Sequence, residues 1–592
     1  MELERLRYDV VIVGAGGSGL RAAVAAAEAG CRVAVVSKSL LGKAHTVMAE
    51  GGIAASFGNL DPYDGWDTHF YDTMKSGHFI NNYRIVEIYA KEAPDRVLEL
   101  ETWGAVFDRT EDGKIMQRPF GAHSFRRLAH VGDRTGKELI RTMEYKILAT
   151  ERVDIFAEVI TTTLFRDAEG RVAGLFAYHR DDGRFVVFEA KAVILATGGW
   201  GRLYKATSNS WESTGDGGAM AFRAGAELMD MEMVQFHPTG MVWPPGVRGI
   251  LVTEGVRGEG GLLYNSENER FMLTYDPERK ELSSRDVVAR SIFKEVMAGR
   301  GTPHGGAWLD ISHKGPAYIK RKLPGMYEQF LKLADVDITK ERFEVGPTLH
   351  YTMGGVRVAP ETTATNVPGL YAAGETAVGL HGANRLGGNS LGDLLVFGRR
   401  AGMAAAEYVK EREDWPALSD GQIDDERKRV VHPFEIENGE NPYMVHEALQ
   451  EIMIRHAGIK RDGEGLKEGL DKLQALKERA ERMSASGPLH FNPGWTLVFD
   501  VQNMMLLAET ILIGALERKE SRGAQWRTDF PDELPEEGAT NIVQTLGTDG
   551  IMVRRDAVPQ MPPELARFFD DPAAPGVMRQ RHDQAGKESA GR

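Results

Sequence analysis

Three glycines and a histidine near the start of the chain are the first residues whose types and spacing suggest chemistry. Gly14, Gly16 and Gly19 fit G-x-G-x-x-G within YDVVIVGAGGSGLRAAVAAAEAG (8–30), which reads as a buried strand, a tight turn and an alanine-rich helix. In such a unit the first glycine permits the turn, the second lets a pyrophosphate approach the backbone, and the third lets helix and strand pack closely. The helix N-terminus then faces the phosphates. The pattern alone is weak, but its strand–turn–helix setting makes dinucleotide binding the reading. The next strand, CRVAVVSKS (31–39), ends on Ser37 and Lys38 instead of the usual ribose-binding acid, which weakens a nicotinamide reading. GKAHTVMAEGGIAA (42–55) then sets His45 just ahead of a run of small residues. Taken alone, His45 reads as a helix-capping or surface histidine, His237 before Pro238 as a loop residue, and Arg285 as an ion-pair partner of Asp286. Arg385, in a glycine-rich loop, is the better functional candidate of the isolated residues.

These residues need a scaffold, and the sequence supplies its outline. AKAVILATGGWG (190–201) is a strand running into the Thr197-Gly198-Gly199 turn, and VPGLYAAGETAVGLHGANRLGGNSLGDLLVFGRRAG (367–402) is a strand, a glycine-rich loop and a helix. Strands so far apart imply a discontinuous α/β domain interrupted by an insertion. A chain of 592 residues is too long for one core, so two to four domains are expected. Apolar content of 42% and charged content of 27% are ordinary for a globular protein. The net charge of −14 and the lack of a Lys/Arg block argue against a duplex nucleic-acid partner. Cys31 is the only cysteine, which excludes an internal disulfide and a Cys-ligated iron–sulfur cluster within this chain. No signal or transit peptide is expected, because residues 1–7 are polar and a strand follows. The apolar run MMLLAETILIGAL (504–516) is short and broken by Glu509, so it reads as a buried helix and not a membrane span. From about 405 to 530 apolar residues recur at helical spacing, as in VHEALQEIMI and GLKEGLDKLQALKERAERM, with HPFEIENGENP (432–442) as a connector. After about 555 a short helix and then a disordered tail are expected.

On the motifs HTVMAEGG, STGDGGAM, QFHPTG, LVTEGVRGEGG, SSRDVVARS, LHYTMGG, HGANRLGGNSLGD and ERKESRGA, the chain resembles the flavoprotein subunit of succinate dehydrogenase and fumarate reductase over roughly residues 7–530. The resemblance implies a Rossmann-like FAD-binding domain in two pieces (1–235 and 348–404), an inserted α+β capping domain (236–347), a helical domain (405–530) and a C-terminal region with a flexible tail (531–592). It implies that His45 carries FAD on a covalent bond from its ring to the 8α-methyl carbon, which would make the flavin a better oxidant. Contacts to FAD would come from Gly14, Ala15, Gly16, Gly17, Ser18, Gly19, Ser37, Lys38, Ala44, Thr46, Glu50, Gly51, Gly52, Asp216, Glu375, Ser390 and Leu391, with Glu375 as the ribose acceptor.

A four-carbon diacid offers only two methylenes, at about 0.8 kcal/mol each on burial, whereas each hydrogen bond to a charged group contributes about 1.5–3 kcal/mol. Recognition must therefore be polar, and arginine's planar fork suits a carboxylate. By resemblance His237, Thr253, His350 and Arg385 bind the carboxylates, while Arg285 exchanges the proton through Glu254 and Arg257. No metal ligands are implied. An iron–sulfur protein of the same complex, a membrane anchor and, indirectly, a quinone are implied as partners. The chain itself would be peripheral, on the cytoplasmic face of a bacterial inner membrane. Two features depart from the family pattern. Val256 stands where many relatives have cysteine, and Glu50 stands where succinate oxidisers often have glutamine, a lean toward fumarate reduction. A soluble flavoenzyme such as L-aspartate oxidase, or a non-catalytic FAD protein, is the alternative.

Overall fold

A computed structural model describes residues 3–570, 575–576 and 578–580. Its central sheet has seven strands, and the apolar runs DVVIV, RVAVV and AVIL form its middle. Strands buried on both faces read as continuous hydrophobic stretches in this way. Leu3–Val13 pairs in parallel with Val33–Ser37 on one side and Phe185–Leu195 on the other, and Val153–Ala157 extends the sheet in parallel beyond Val33–Ser37. Phe185–Leu195 is shared. Its first half pairs antiparallel with Val172–His179, and its last residues pair in parallel with Leu370–Ala372, so the later segment does return to the first sheet.

The carboxyl ends of four parallel strands, at Val13, Ser37, Leu195 and Ala372, thus lie along one edge. In open α/β sheets that edge is where ligands bind. Gly14 has φ +111°, and a Cβ there would sit 2.2 Å from the Ala196 carbonyl oxygen. A Cβ on Gly19 would sit 1.9 Å from the Gly14 carbonyl oxygen, so the third glycine is needed for the Gly17–Glu28 helix to close on its strand.

Between the two halves of this sheet, Val234–Met241, Phe343–Thr352, Ala307–Asp310 and Leu262–Tyr264 form a separate four-stranded antiparallel sheet. It has its own core, including Leu263, Ile292, Leu309, Phe330 and Val345. The long helix Asn389–Lys410 packs on Gly17–Glu28 and leads to Asp420–Val431, Pro442–His456, Gly463–Ala480 and Pro493–Glu517. Pro493–Glu517 is long and apolar enough to cross a membrane by composition, but 72% of its most apolar window is buried inside the protein. The apolar run at 504–516 is accordingly a core helix.

The C-terminal region differs from expectation. Thr540–Gly547 and Gly550–Ala557 form a hairpin that joins Leu228–Met229 and Gly355–Val356 in a third sheet. Only the inner strand buries apolar side chains, Ile542 and Val543, while the outer strand is held by ion pairs such as Arg554–Glu227 (2.8 Å) and Arg357–Asp556 (2.6 Å). Charges in the outer strand hide the period-2 pattern that marks a strand. The expected short helix is Pro563–Ala566. The expected flexible tail falls mostly outside the described residues.

The ERKESRGA motif anchors this region. Arg518 is fully buried, 2.6 Å from Glu232 and 3.0 Å from Asp230, and Arg522 pairs with Glu520 at 2.6 Å. Removing one partner of a buried pair leaves an uncompensated charge and costs about 3–5 kcal/mol. Arg518→Met is expected to lower the thermal midpoint clearly, read by calorimetry. A midpoint equal to the parent's would show that this network does not hold the C-terminal region down.

Candidate active site

An open cleft with about 1320 Å³ of atom-free space runs along the carboxyl edge of the main sheet. Gly14, Ala15, Gly16, Gly17 and Ser18 line it from the glycine turn, and Ser37 and Lys38 from the second strand. Ala44, His45 and Thr46 line it from the next loop, with Asp216, Glu375, Ser390 and Leu391 from elsewhere in the chain. Four expected cofactor residues are not in the lining. Gly19 packs on Gly14, as above. Glu50, Gly51 and Gly52 lie beside the cleft, where Arg118 donates to the carbonyl oxygens of Glu50 (3.0 Å) and Gly51 (2.8 Å). Burial, with Asp133 adding to it, pushes the Glu50 carboxyl well above the usual carboxylate range.

At one end of the cleft Lys38 is enclosed by Asp216 (3.0 Å), Thr214 (2.7 Å) and Asp500 (2.5 Å). Burial disfavours its charge, but the two carboxylates outweigh that and hold it protonated. Lys38 and Asp216 therefore shape the cleft as a neutralised group. At the other end His45 opens a short 3-10 turn, His45–Met48, and accepts a hydrogen bond at Nδ1 from the Ser210 N–H (3.3 Å). Burial, with Arg385 nearby, pushes its pKa down to about 4, so the ring is neutral at physiological pH. Glu375 accepts from the Thr352 N–H at 3.0 Å and lines the cleft between the two ends.

Beyond His350, which lines the cleft, lies a buried cationic cluster. Arg285 begins the Arg285–Glu295 helix, and its Nε donates to Glu254 at 2.9 Å. Asp286 pairs instead with Arg290 at 2.6 Å, which removes the surface-pair reading of Arg285. Arg257 stands 3.8 Å from the same Glu254 oxygen, and the Gly121 N–H donates to the other oxygen at 2.7 Å. Gln235 ties Arg285 and Arg385 together. Its Oε1 accepts from Arg285 (3.2 Å) and from Arg385 (3.3 Å). Arg385 also donates to Ser390 and lies over the Tyr351 ring at 4.3 Å.

Arg257, Arg285, Arg385 and Glu254 are each at most 7% exposed. Glu254 is the carboxylate paired with Arg285 and Arg257, and Glu375 acts on Arg385 from the cleft wall, so the three guanidiniums keep an excess of positive charge that suits a dicarboxylate. Nη2 of Arg385, and Nε and Nη2 of Arg257, are buried with no hydrogen-bond partner in the protein. Unsatisfied charged donors cost enough that a ligand is the natural explanation.

His237 and His350 stand with ring centroids 5.1 Å apart. Burial, then the neighbouring arginines, holds both well below the usual imidazole range. They contribute hydrogen bonds and not charge. His350 Nδ1 is 2.7 Å from the Ser208 hydroxyl, and His237 Nδ1 is 2.9 Å from the Thr239 carbonyl oxygen, so Nε2 of each ring is the nitrogen left for a ligand. Thr253 sits at the start of the Gly255–Gly258 turn, where its hydroxyl accepts from the Gly255 N–H (3.2 Å).

Sequence reasoning missed Gln235, Ser208, Ser210, Tyr351 and Arg118. Gln235 and Tyr351 lie inside the QFHPTG and LHYTMGG motifs, which was the available signal. The others lie between motifs. Val256 is fully buried in the Gly255–Gly258 turn, and Cys31 is 2% exposed with its thiol pushed up to about 11, by burial first and then by Asp9. Thiol-alkylating reagents are therefore expected to leave the site unaffected, and rapid inactivation in an activity assay would contradict this placement.

The residues present fit a dinucleotide. The glycine turn, the N-termini of Gly17–Glu28 and Asn389–Lys410, and the free space beside Gly198 all face or adjoin one cleft. Residues 9–391 match the family model described as FAD binding domain, and residues 446–556 match the one described as Fumarate reductase flavoprotein C-term. The Mycobacterium smegmatis Sdh1 chain, solved in complex with UQ1, superposes with a TM-score of 0.86 at 53% identity, covering 95% of each chain. A fumarate reductase (CoM/CoB) chain of Methanothermobacter marburgensis is 44% identical over 90% of this chain and 97% of the relative. The succinate dehydrogenase flavoprotein subunit of Coxiella burnetii is 40% identical over 89% of this chain and 92% of the relative. The chain is thus an FAD-binding oxidoreductase that belongs to the family of succinate dehydrogenase and fumarate reductase flavoprotein subunits.

Proposed function

We propose that this chain interconverts succinate and fumarate, and that His45 holds FAD through its Nε2, the ring nitrogen left when Ser210 occupies Nδ1. The observation that carries the reading is the buried cluster of Arg257, Arg285 and Arg385 around Glu254, in excess of the carboxylates that face it and adjoining the FAD cleft at His350. FAD bound there supplies the hydride acceptor or donor. The FAD-binding unit is formed by 1–235 and 348–404, the capping unit by 236–347 and the helical unit by 405–530.

Arg385 and the neutral His350 grip one carboxylate, and His237 and Thr253 the other. Gln235, by accepting from both Arg285 and Arg385, fixes the distance between the proton-exchanging group and the carboxylate clamp. Arginine is effectively always protonated, so Arg285 cannot wait as a free base. Glu254, whose carboxyl is desolvated yet held below its usual range by Arg285 and Arg257, takes the proton as Arg285 exchanges it and hands it toward Arg257. Such a relay never accumulates a neutral guanidine. An α-amino acid substrate such as L-aspartate would need an acceptor for its ammonium group, and Glu254 is already committed to Arg285 and the Gly121 N–H.

Electrons leave the chain through an iron–sulfur protein held by a membrane anchor, with a quinone as the final partner. The protein is peripheral on the cytoplasmic side of a bacterial inner membrane. The reading draws support from the single cysteine, which leaves no cluster ligands in this chain, and from the relative solved with UQ1. Fumarate reduction is the second direction. Glu50, in place of the glutamine often found in succinate oxidisers, leans toward it.

The test is an anaerobic titration of the purified, FAD-loaded chain. Succinate is expected to bleach the flavin absorbance and fumarate to restore it. A spectrum indifferent to both would end this reading.

A further inference from the structure

The Arg285–Glu254–Arg257 relay accounts for one proton only. Converting a CH2–CH2 unit to CH=CH releases two protons and two electrons. One proton leaves through the relay, while the other travels with the electron pair as a hydride and adds one negative charge to the cleft. A second cluster stands behind the cleft wall, apart from the relay.

Tyr351 and Glu375 both line the cleft. The Tyr351 hydroxyl is 3.1 Å from His381 Nε2 and lies beside the Asp393 carboxyl, and His381 Nε2 is 3.9 Å from Asp393 Oδ2. Asp393 is the fifth residue of Asn389–Lys410, one turn on from the start and just behind Ser390 and Leu391, which line the cleft. On its far side the cluster meets a second cavity of about 330 Å³ of atom-free space, lined by His381, Asp393 and Thr363 and bounded by the exposed Ala359. His381 Nδ1 and the Thr363 hydroxyl are buried there without a protein partner. Tyr351 in the cleft wall thus connects, through His381 and Asp393, to a separate cavity that has the exposed Ala359 on its border.

We infer that Asp393, linked to Tyr351 and His381, and Glu375, which lines the same cleft as Tyr351, form a proton store coupled to the charge held in the FAD cleft. When a hydride arrives, the pair takes one proton from solvent by way of the second cavity. When the two electrons leave singly to a one-electron acceptor, the stored proton and the hydride's own proton return to solvent, and charge balances over the cycle. The inference rests on the proposed function only for the source of the hydride.

Electrostatics agree with the geometry. Burial first, and then Glu375, pushes Asp393 up to about 7. Burial pushes Glu375 up to about 7 against the Thr352 N–H and Arg385. The groups facing Asp393 are Glu375, Tyr351, His381, Arg385 and, from the Tyr83–Thr102 helix, Tyr89. His381 is held neutral, by burial and then Arg385, and Tyr351 keeps its proton. Two carboxyls that titrate near neutrality respond to an added negative charge by binding a proton.

The test uses the FAD-loaded protein without succinate. It is reduced electrochemically at a pH about one unit above the carboxyl pair, and reduced-minus-oxidised infrared spectra are recorded. The reduced state is expected to gain a protonated-carboxyl band that shifts in D2O and is lost in Asp393→Asn. The flavin midpoint potential should also depend less steeply on pH in Asp393→Asn than in the parent. A parent spectrum with no carboxyl gain overturns the inference, as does an Asp393→Asn spectrum identical to the parent's. If Asp393→Asn fails to load FAD, the parent spectrum and Glu375→Gln decide between the same two outcomes. A protein that gains the band but is not bleached by succinate keeps the proton store and loses the proposed function. One that is bleached without the band does the reverse.

Discussion

Arg285→Lys is expected to lower turnover by about a hundred- to ten-thousand-fold, the range of a positioned acid–base group. FAD should remain attached, because Arg285 lies in the cationic cluster and not in the lining of the cleft. Lysine keeps a positive charge, so the loss would not be a loss of charge. Arg285 uses two nitrogens at once, Nε on Glu254 at 2.9 Å and Nη1 on Gln235 at 3.2 Å. A single ammonium cannot hold both while also reaching substrate. Steady-state succinate oxidation with an artificial acceptor measures the effect. A fall in kcat with little change in KM would mark a group that acts in the transition state. Near-parental turnover would remove Arg285 from the proton path.

His45→Ser carries the second large effect. The cleft's other contacts are unchanged by it: the glycine turn, Glu375, Ser390 and Leu391. FAD should still bind, but a denatured sample should no longer show flavin fluorescence on the protein band. Losing the proposed 8α bond would lower the flavin potential, and for a two-electron couple about 30 mV is tenfold in the equilibrium. A fall of about 60 mV would therefore shift the succinate–flavin equilibrium about a hundredfold toward succinate. Succinate oxidation should fall far more than fumarate reduction. Equal losses in the two directions would point to a damaged substrate site and not to a changed potential.

The parts of this site that were legible in the sequence are those that short motifs encode. Gly14 and Gly19 announce a turn because only glycine fits there, and the Ala196 and Gly14 carbonyl oxygens at 2.2 and 1.9 Å from would-be Cβ atoms say why, whereas a Cβ on Gly16 would meet nothing closer than Thr46 at 3.5 Å. Arg285, Arg257, Glu254 and Arg385 could be named from motifs, and the fold does bring them together through Glu254 and Gln235. Partnerships over long sequence distances were not legible. Lys38 ends a strand and looks like a free cation, yet Asp500, far along the chain on Pro493–Glu517, neutralises it. The charge state of His237 and His350 follows from burial among arginines, which no local pattern records. The Thr540–Ala557 hairpin escaped notice because ion pairs, more than apolar alternation, hold its outer strand.

The most direct measurement is a density map of the FAD-loaded protein with fumarate or succinate bound. The account predicts continuous density from His45 Nε2 to the flavin, one carboxylate on Arg385 and His350, the other on His237 and Thr253, and Arg285 within hydrogen-bonding reach of the carbon skeleton's edge. A free imidazole at His45, with the dicarboxylate bound away from these arginines, would contradict it.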